Sequence, residues 1–303
     1  MPIIEWIKAI ITSAKLIIVD VLLSFAELLG RKPSIDKIIV SKRDQISSKN
    51  QMIEEILREY PNDRINNLDW DTGDETEAAE AILEESVNDE DRRLDLSKSL
   101  AKSMRQIRGY QKLCQEVEER RLINYDSKNK EHEALLAKLW KLLMDGEELR
   151  SRKTNQWQQI GFQGDDPATD FRGMGILGLE QLVFFAQFDV DRCRRVLLLS
   201  HHPTIGFPFA VCGITITAIC KELLFDDLLK NHFYNVLRES PTLDSFHQVY
   251  CRVFDLFATY WEMEKPESIM EFNPVKQRFL ESLESYLRND GANLVNAKFE
   301  DLL

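Results

Sequence analysis

The sequence predicts an all-α fold, and two observations support this prediction. Apolar residues recur every three or four positions over several long stretches, as they do on the buried face of a helix. Alternating apolar and polar runs, which would indicate strands, are scarce. With 303 residues and 44% apolar composition, the chain can bury a sizeable core. We therefore expect a compact multi-helix domain, preceded by an N-terminal amphipathic helix and an acidic linker.

The N-terminal segment, residues 3–29, is strongly apolar but interrupted by charge. Its charged residues are Glu5, Lys8, Lys15, Asp20 and Glu27. This distribution is unlike that of a membrane-spanning helix or a signal peptide. On a helical wheel the charges share about half of the circumference, which predicts an amphipathic helix. Two interpretations stay open: the helix packs on the body of the protein, or it makes a reversible peripheral contact with a membrane.

A charged segment follows a short helix in the next part of the chain. Ile53, Ile56 and Leu57 predict that helix, which ends before Pro61. Between Asp69 and Asp91 there are eleven Asp or Glu residues and no Lys or Arg, which accounts for most of the net charge of −12. The few apolar residues of this segment offer little to bury, so we expect a mobile linker or a loosely packed acidic helix. With no basic cluster or nucleic-acid motif, DNA and RNA are poor partner candidates.

Four longer helices are predicted from the strongest apolar periodicity. The first starts near Leu94 and continues past Val117, and the second ends at Leu143, with Gly146 as its C-cap. The stretch 208–224 is nearly uncharged, but its length and its threonines favour a central buried helix over a membrane span. The stretch 246–264 carries aromatic residues at helical spacing and includes His247 as a core residue.

The pattern of cysteines and histidines argues against disulfides, metal sites and histidine catalysis. The five cysteines are odd in number and widely spaced, which favours buried thiols in a reducing compartment over disulfides or a zinc site. His201 and His202 precede Pro203, where a loop or capping role is favoured over metal binding or catalysis. We expect no metal and no cofactor.

The most distinctive segment runs from Trp157 to Leu182. Five of the chain's twelve glycines fall between Gly161 and Gly178, together with Pro167 and several Asp and Thr residues that cap backbone. This composition predicts an ordered, turn-rich loop that leads into a helix from about Met174 onward.

Three chemical interpretations of this loop compete. Residues 173–178 match G-x-G-x-x-G, but no hydrophobic strand precedes them, so a dinucleotide site is disfavoured. Asp165, Asp166 and Asp170 lack calcium-loop spacing, so they are expected to cap backbone rather than bind a cation. Arg172 stands beside Gly173 and could either pair with Asp166 or Asp170, or be presented to a partner's phosphate oxygens, for which its planar guanidinium is suited.

The residues from Trp157 to Leu179 resemble the signature of the engulfment-and-motility (ELMO) domain, in its stand-alone type. The resemblance lies in Trp157, in Ile160–Gly164, in Pro167, in Thr169–Gly175 and in Leu177–Leu179. Further likeness extends over about residues 100–290, in segments around His132–Met144, His202–Ala210 and Pro266–Asn273.

The resemblance implies an all-helical fold and activation of GTP hydrolysis by small GTPases of the Arf family (Arf and Arl). It assigns the catalytic arginine of the D-F-R-G segment to Arg172. Such a protein supplies an arginine in trans and is not a self-contained enzyme. The residues expected to shape the loop or contact the GTPase are Trp157, Gly161, Phe162, Gln163, Pro167, Thr169, Asp170, Phe171, Gly173 and Gly175.

The predicted organisation is an N-terminal helix (1–30), a variable region (31–95) containing the acidic linker (69–91), an ELMO domain (96–292) and a tail (293–303). We expect a cytoplasmic protein whose partners are GTP-bound Arf and Arl proteins. A non-catalytic adaptor that binds small GTPases or their exchange factors is the alternative, and Arg172 would then be structural.

Overall fold

The computed structural model describes residues 34–41, 46–59, 75–84, 86–144 and 146–302. Within these ranges the regular structure is entirely helical, without a strand, which confirms the predicted fold class. The chain divides into two compact units. One contains the residues up to Tyr110 together with Phe233–Ser240, and the other contains Gln111–His232 and Pro241–Leu303. The predicted N-terminal helix over residues 3–29 lies outside the described residues.

The first unit contains α1 (Ile35–Val40), α2 (Ile46–Glu59), α3 (Glu75–Glu84) and the first part of α4 (Glu90–Leu122). A polar chain crosses its interior. Asn50 on α2 donates a 2.6 Å hydrogen bond to Gln106 on α4, and Gln106 donates one of 2.6 Å to the carbonyl of Leu237. These bonds give partners to amide N–H groups that would otherwise be costly to bury.

Helix α3 corrects one expectation for the acidic segment. The residues on one face of α3 are buried, and Val87 after it is also buried; the buried face consists of Ala78, Ala79, Ile82 and Leu83. The prediction that apolar residues of this segment bury little is therefore wrong. It failed because it judged the few large apolar residues too sparse to pack, whereas Ile82 and Leu83 form a narrow apolar stripe together with two alanines on an otherwise acidic helix.

The second unit contains the rest of α4 and the helices that follow it. These are α5 (Lys130–Leu143), α6 (Gly175–Phe188), α7 (Val190–Ser200), α8 (Phe209–Phe225), α10 (Leu243–Glu264) and α11 (Phe272–Leu287). Helix α9 (Lys230–Val236) begins in this unit and ends in the first. Short 3₁₀ helices span Asn155–Ile160, Pro167–Arg172, Ile269–Glu271 and Phe299–Leu302.

The core of the second unit is built around α6 and α8. Both helices are apolar on nearly every face, which is the pattern of a helix enclosed by others. Helix α6 packs against α5, α7, α8 and α10. Aromatic rings from α6, α8 and α10 meet between them, as in the pairs Phe185–Phe254 and Phe209–Phe254, with ring centroids 5.5 and 5.3 Å apart. This packing fixes the first turn of α6, which follows the glycine-rich loop.

The long predicted helices are confirmed, with small shifts at their ends. The predicted buried helix over 208–224 is α8, and the aromatic helix over 246–264 is α10, in which His247 is buried. Helix α5 ends at Leu143 as predicted, but its cap is Met144, whose N–H donates to the carbonyl of Trp140, and not Gly146. None of the helices in the described ranges combines the length and apolarity that crossing a bilayer requires.

Candidate functional site

The glycine-rich loop is an ordered structure of two 3₁₀ helices. Thr154 caps the first by accepting a hydrogen bond from the N–H of Gln156, and Asp166 caps the second by accepting one from Ala168. Pro167 opens the second helix, where its fixed φ is favourable and its missing N–H costs nothing. The N–H of Thr154 also donates a 3.0 Å bond to the carbonyl of Asp165, which joins the start of the first 3₁₀ helix to the residue before the cap of the second. The prediction of an ordered, turn-rich loop before a helix is confirmed.

A chain of aromatic rings anchors the loop to the core. Trp157 is 1% exposed and meets Trp140 of α5 edge-on, with ring centroids 5.4 Å apart. Trp157 also contacts Phe162, Phe162 contacts Phe171, and Phe171 stacks on Tyr125 at 5.3 Å. The indole N–H of Trp157 donates to the carbonyl of Arg152 at 3.0 Å. Because these rings interlock, the residues just before Arg172 have little freedom to move.

Gly161 and Gly175 are required by the fold of the loop. Gly161 has a φ of +82°, and a Cβ there would stand 2.2 Å from the backbone nitrogen of Phe209. Gly175 has a φ of +55°, and a Cβ there would stand 2.2 Å from the carbonyl oxygen of Arg121. Both positions combine left-handed backbone with close backbone approach, which only glycine accepts without strain.

Gly173 is different from these two glycines. Its φ of −82° and ψ of −35° are ordinary right-handed values. A Cβ at this position would meet nothing within 4 Å, and the residue is exposed. The fold itself therefore does not require glycine beside Arg172.

Arg172 ends the second 3₁₀ helix with its side chain in solvent. The residue is exposed, directly after the buried Phe171, which is 1% exposed. Among the residues that the structure describes, its guanidinium has no hydrogen-bond or ion-pair partner. The expectation that Arg172 is accessible in the folded protein is confirmed.

The two carboxylates that could have paired with Arg172 are occupied in other ways. Asp166 accepts bonds of 3.0 Å from Arg152 and from Lys153. Burial raises the pKa of Asp166, but these bonds and the one from Ala168 outweigh burial and leave the pKa below its usual value. Asp170 accepts a 2.7 Å bond from the N–H of Gln163. Burial raises its pKa, against the opposing effects of this bond, of Thr169 and of the charge of Arg172. Among the described residues, the guanidinium of Arg172 thus forms no hydrogen bond or ion pair with either carboxylate, although its charge lowers the pKa of Asp170.

Arg152 has the structural role that was considered for Arg172. Its Nε lies 2.8 and 2.6 Å from the two oxygens of Glu133, and its Nη1 binds Asp166. Its guanidinium also lies 5.8 Å from the ring centre of Tyr125, whose hydroxyl donates a 2.6 Å bond to Glu133. We call Tyr125, Glu133, Arg152, Asp166 and Phe171 the loop anchor. Burial, and then the bond to Glu133, raise the pKa of Tyr125.

The roles of Tyr125, Arg152 and Lys153 are not indicated by the sequence. The two partners of Arg152 lie 19 and 14 residues away in the chain, so no local spacing indicates these contacts. Glu133 lies within the segment around His132–Met144 that resembles the family, but nothing in that segment indicates its arginine partner.

The remaining predicted site residues shape the loop or lie at its surface. Phe162 and Pro167 are buried, whereas Gln163 and Thr169 are exposed and Asp170 is half-buried. The hydroxyl of Thr169 donates to the carbonyl of Asp166 at 3.2 Å. Their roles toward a partner remain predictions.

The competing motifs have simple structural explanations. Gly173–Gly178 covers the end of a 3₁₀ helix and the start of α6, with no strand before it in the described part of the chain, so it is not a dinucleotide fingerprint. Asp166 and Asp170 bind backbone N–H groups, as expected for capping residues. His201 ends α7 and contacts the carbonyl of Gln159 at 2.6 Å, while His202 accepts bonds from the backbone of the following turn, which confirms the loop role.

The helical fold and this loop define a member of the ELMO/CED-12 family. The family model matches residues 115–276, which is more than half of the chain and includes the whole of the glycine-rich loop. The chain therefore belongs to this family, and the resemblance seen in the sequence is confirmed.

The relatives of the chain are ELMO domain-containing proteins. It is 46% identical over 189 residues to ELMO domain-containing protein 2 of Bos taurus, a match that covers 62% of the chain and 64% of the relative. It is 40% identical over 235 residues to the human ELMO domain-containing protein 1, covering 69% and 70%. ELMO domain-containing protein B of Dictyostelium discoideum is 39% identical over 181 residues, covering 60% and 62%. The match thus covers less than two thirds of the length of ELMO domain-containing protein 2 of Bos taurus.

Proposed function

We propose that this protein activates GTP hydrolysis by small GTPases of the Arf family, Arf and Arl proteins, and that Arg172 enters the partner's nucleotide site. The observation that supports the proposal is an exposed guanidinium, unpaired among the described residues, one position after a buried ring. The D-F-R-G sequence of residues 170–173 resembles the segment in which the ELMO domain has its proposed catalytic arginine. The loop anchor supports the proposal because it holds Phe171, and hence the backbone of Arg172, in place.

The proposed chemistry is electrostatic. Charge develops on the β- and γ-phosphate oxygens as the phosphoryl group is transferred to water, and a guanidinium placed against these oxygens lowers the barrier. The GTPase brings the nucleotide, Mg²⁺ and the residue that positions the water. Arg172 brings only fixed positive charge, and no other catalytic group from this chain takes part.

The fixed backbone at Arg172 gives the arginine its advantage. A side chain mounted on a mobile loop would lose conformational freedom when it enters the nucleotide site, and that loss would weaken catalysis. Here the loss is limited to the side chain of Arg172, because its neighbours are already packed. Asp170 and Gln163 hold the loop by the bond between them and need no part in the chemistry.

The test is a panel of GTP-loaded Arf and Arl proteins with the purified full chain. We expect wild type to accelerate hydrolysis by at least one of them, and Arg172→Ala to abolish the acceleration. Arg172→Lys is expected to fail as well, because a point charge does not reproduce the bidentate guanidinium. The arginine that an activating protein supplies in trans raises the rate of GTP hydrolysis by about 10³–10⁵-fold.

A matched control is available in Arg194, an exposed arginine on α7. Helix α7 begins at the end of α6 that is remote from Arg172, and Arg194 lies in the second turn of α7. Arg194→Ala should activate like wild type. Full activation by both Arg172 variants, with folded protein, would disprove the catalytic role.

A binding assay distinguishes the proposed activator from the alternative, a non-catalytic adaptor. An adaptor would bind GTP-loaded partners without accelerating hydrolysis, and Arg172→Ala would change neither property. A catalytic protein should lose acceleration in Arg172→Ala while binding is retained.

We further propose peripheral contact with intracellular membranes through residues 3–29, which lie outside the described residues. Deleting residues 1–30 should move the protein from membrane to soluble fractions. An unchanged distribution would remove the proposal of membrane contact and leave the proposed activity untouched.

A further inference from the structure

Two exposed apolar residues lie beside the glycine-rich loop. Leu122, the last residue of α4, is 60% exposed, and Ile123 after it is 42% exposed. A single exposed apolar side chain needs no explanation, but two successive ones at the end of a helix form a small apolar surface. We call Leu122 and Ile123 the apolar pair.

The backbone that carries the apolar pair is fastened to the loop on both sides of Arg172. The N–H of Ile176 donates to the carbonyl of Ile123 at 2.8 Å, on the far side of Arg172. The ring of Tyr125 stacks on Phe171, on the near side. Residues 121–125 therefore run alongside residues 171–176, with Arg172 between the two points of attachment. Gly175 allows this approach, because any side chain there would meet the carbonyl oxygens of Arg121 and Ile123.

We propose that Leu122 and Ile123 are the apolar docking surface for the same GTP-bound GTPase that receives Arg172. This inference rests on the proposed function. Arg172 and Gly175 are three positions apart in the chain, which limits the distance between their backbones to about 11 Å. A standard interface buries about 800 Å² on each partner, equivalent to a disc of about 16 Å radius. A GTPase docked around Arg172 therefore has an interface wide enough to reach the apolar pair.

The charges around the apolar pair agree with an apolar contact. Arg120, just before it, lies 3.2 Å from Glu180, and Arg121 binds both oxygens of Glu118. The bond from Arg121 holds the pKa of Glu118 below its usual value. These two arginines are thus engaged within the protein, whereas Arg172 is not. The partner would meet apolar surface beside the exposed guanidinium of Arg172.

The two parts of this surface would contribute differently to activation. The apolar pair is buried equally before and during hydrolysis, so it should affect how tightly the GTPase binds and not how fast bound GTP is hydrolysed. Arg172 should act mainly on the hydrolysis step. This division separates a failure of the docking proposal from a failure of the proposed function.

The experiment measures GTP hydrolysis against activator concentration, using the Arf or Arl protein that wild type activates. Leu122→Gln and Ile123→Gln remove apolar surface without adding charge near Arg172. Each should raise the activator concentration for half-maximal rate about five- to tenfold, in line with the transfer energy of a partly buried aliphatic side chain, with an unchanged maximal rate. Direct binding to the same GTPase loaded with a non-hydrolysable GTP analogue should weaken by the same factor.

Val190 provides the matched control. It is 39% exposed at the start of α7, at the opposite end of α6, so Val190→Gln should behave like wild type. Wild-type affinity in both Leu122→Gln and Ile123→Gln, while Arg172→Ala still abolishes hydrolysis, would overturn the docking proposal alone. Absence of activation by wild type across the whole GTPase panel would overturn the proposed function and the docking proposal with it.

Discussion

Arg152 and Arg172 belong to the same loop but lie in opposite environments. Arg152 is enclosed by Glu133, Asp166 and the ring of Tyr125, and its side chain is 28% exposed. Arg172 is exposed and has no such partner in the described residues. An arginine that binds two carboxylates of its own chain, as Arg152 does through Nε and Nη1, stabilises the fold, whereas an exposed arginine without such partners is available to a second molecule. The difference teaches that the loop anchor stabilises the loop, whereas Arg172 is left available to a partner. Mutations in the loop anchor should therefore lower stability, and mutations of Arg172 should lower activation of the GTPase.

The largest effect on stability is expected at Phe171. Phe171→Ala removes a fully buried ring that contacts Tyr125 and Phe162, which should lower the free energy of unfolding by about 3–5 kcal/mol. Chemical denaturation measures this difference. Activation of the GTPase should fall as well, because Arg172 loses its support. A variant as stable as wild type would show that the loop is not held by this ring.

A somewhat smaller loss is expected at Arg152. Arg152→Ala leaves Glu133 and Asp166 half-buried without their shared partner, which should cost about 2–4 kcal/mol in the free energy of unfolding. Arg152→Lys should restore only part of this, since one ammonium cannot span both carboxylates. Equal stability of Arg152→Ala and Arg172→Ala in the same denaturation assay would contradict the claim that only Arg152 is a structural arginine.

The two aspartates of the loop should respond to pH in opposite ways. The pKa of Asp166 is lowered, so its contribution to stability is present above the ordinary carboxyl pKa and is lost as the pH falls through the folded-state value. The pKa of Asp170 is raised, mainly by burial, so its ionisation destabilises the fold as the pH rises from the ordinary value through the raised one. Melting temperatures over the acid range measure both effects.

Asparagine variants assign these effects to their residues. Asp166→Asn should flatten the loss of stability at low pH, and Asp170→Asn should remove the opposite slope. The interpretation of the two environments would be contradicted if the two variants changed the slope in the same direction.

The smallest change in stability is expected at Gly173. Its backbone is right-handed and the space around it is open, so Gly173→Ala should raise the free energy of unfolding by about 0.4–1 kcal/mol. Hydrolysis should nevertheless slow, because the added methyl group stands beside Arg172 where the partner approaches. By contrast, Gly161→Ala and Gly175→Ala should destabilise the protein, since their Cβ atoms would meet backbone at 2.2 Å. Faster or unchanged hydrolysis in Gly173→Ala would argue against close approach at this point.

The long helices could be predicted from the sequence because their signal is local. The apolar spacing around Leu100 and Met104, and again around Phe254 and Phe257, identifies the buried faces of α4 and α10 without knowledge of their partners. The buried face of α3 was missed because alanine carries a weak apolar signal in a segment dominated by acidic residues.

The loop anchor could not be predicted because its contacts are not local. Arg152 binds Glu133 and Asp166, and Tyr125 reaches Phe171, across separations that no sequence period encodes. The sequence therefore left open whether Arg172 pairs with Asp166. In the structure, the carboxylate of Asp166 binds Arg152 and Lys153 instead of Arg172. The predicted domain limits at 96 and 292 remain a prediction.

The most direct test of the central claim compares two properties of one variant, Arg172→Lys. Single-turnover hydrolysis by a GTP-loaded Arf-family protein, with activator in saturating excess, should fall by about 10³-fold or more, while the melting temperature stays that of wild type. A rate equal to that of wild type, or a drop in melting temperature like that of Arg152→Ala, would place Arg172 with the structural arginines.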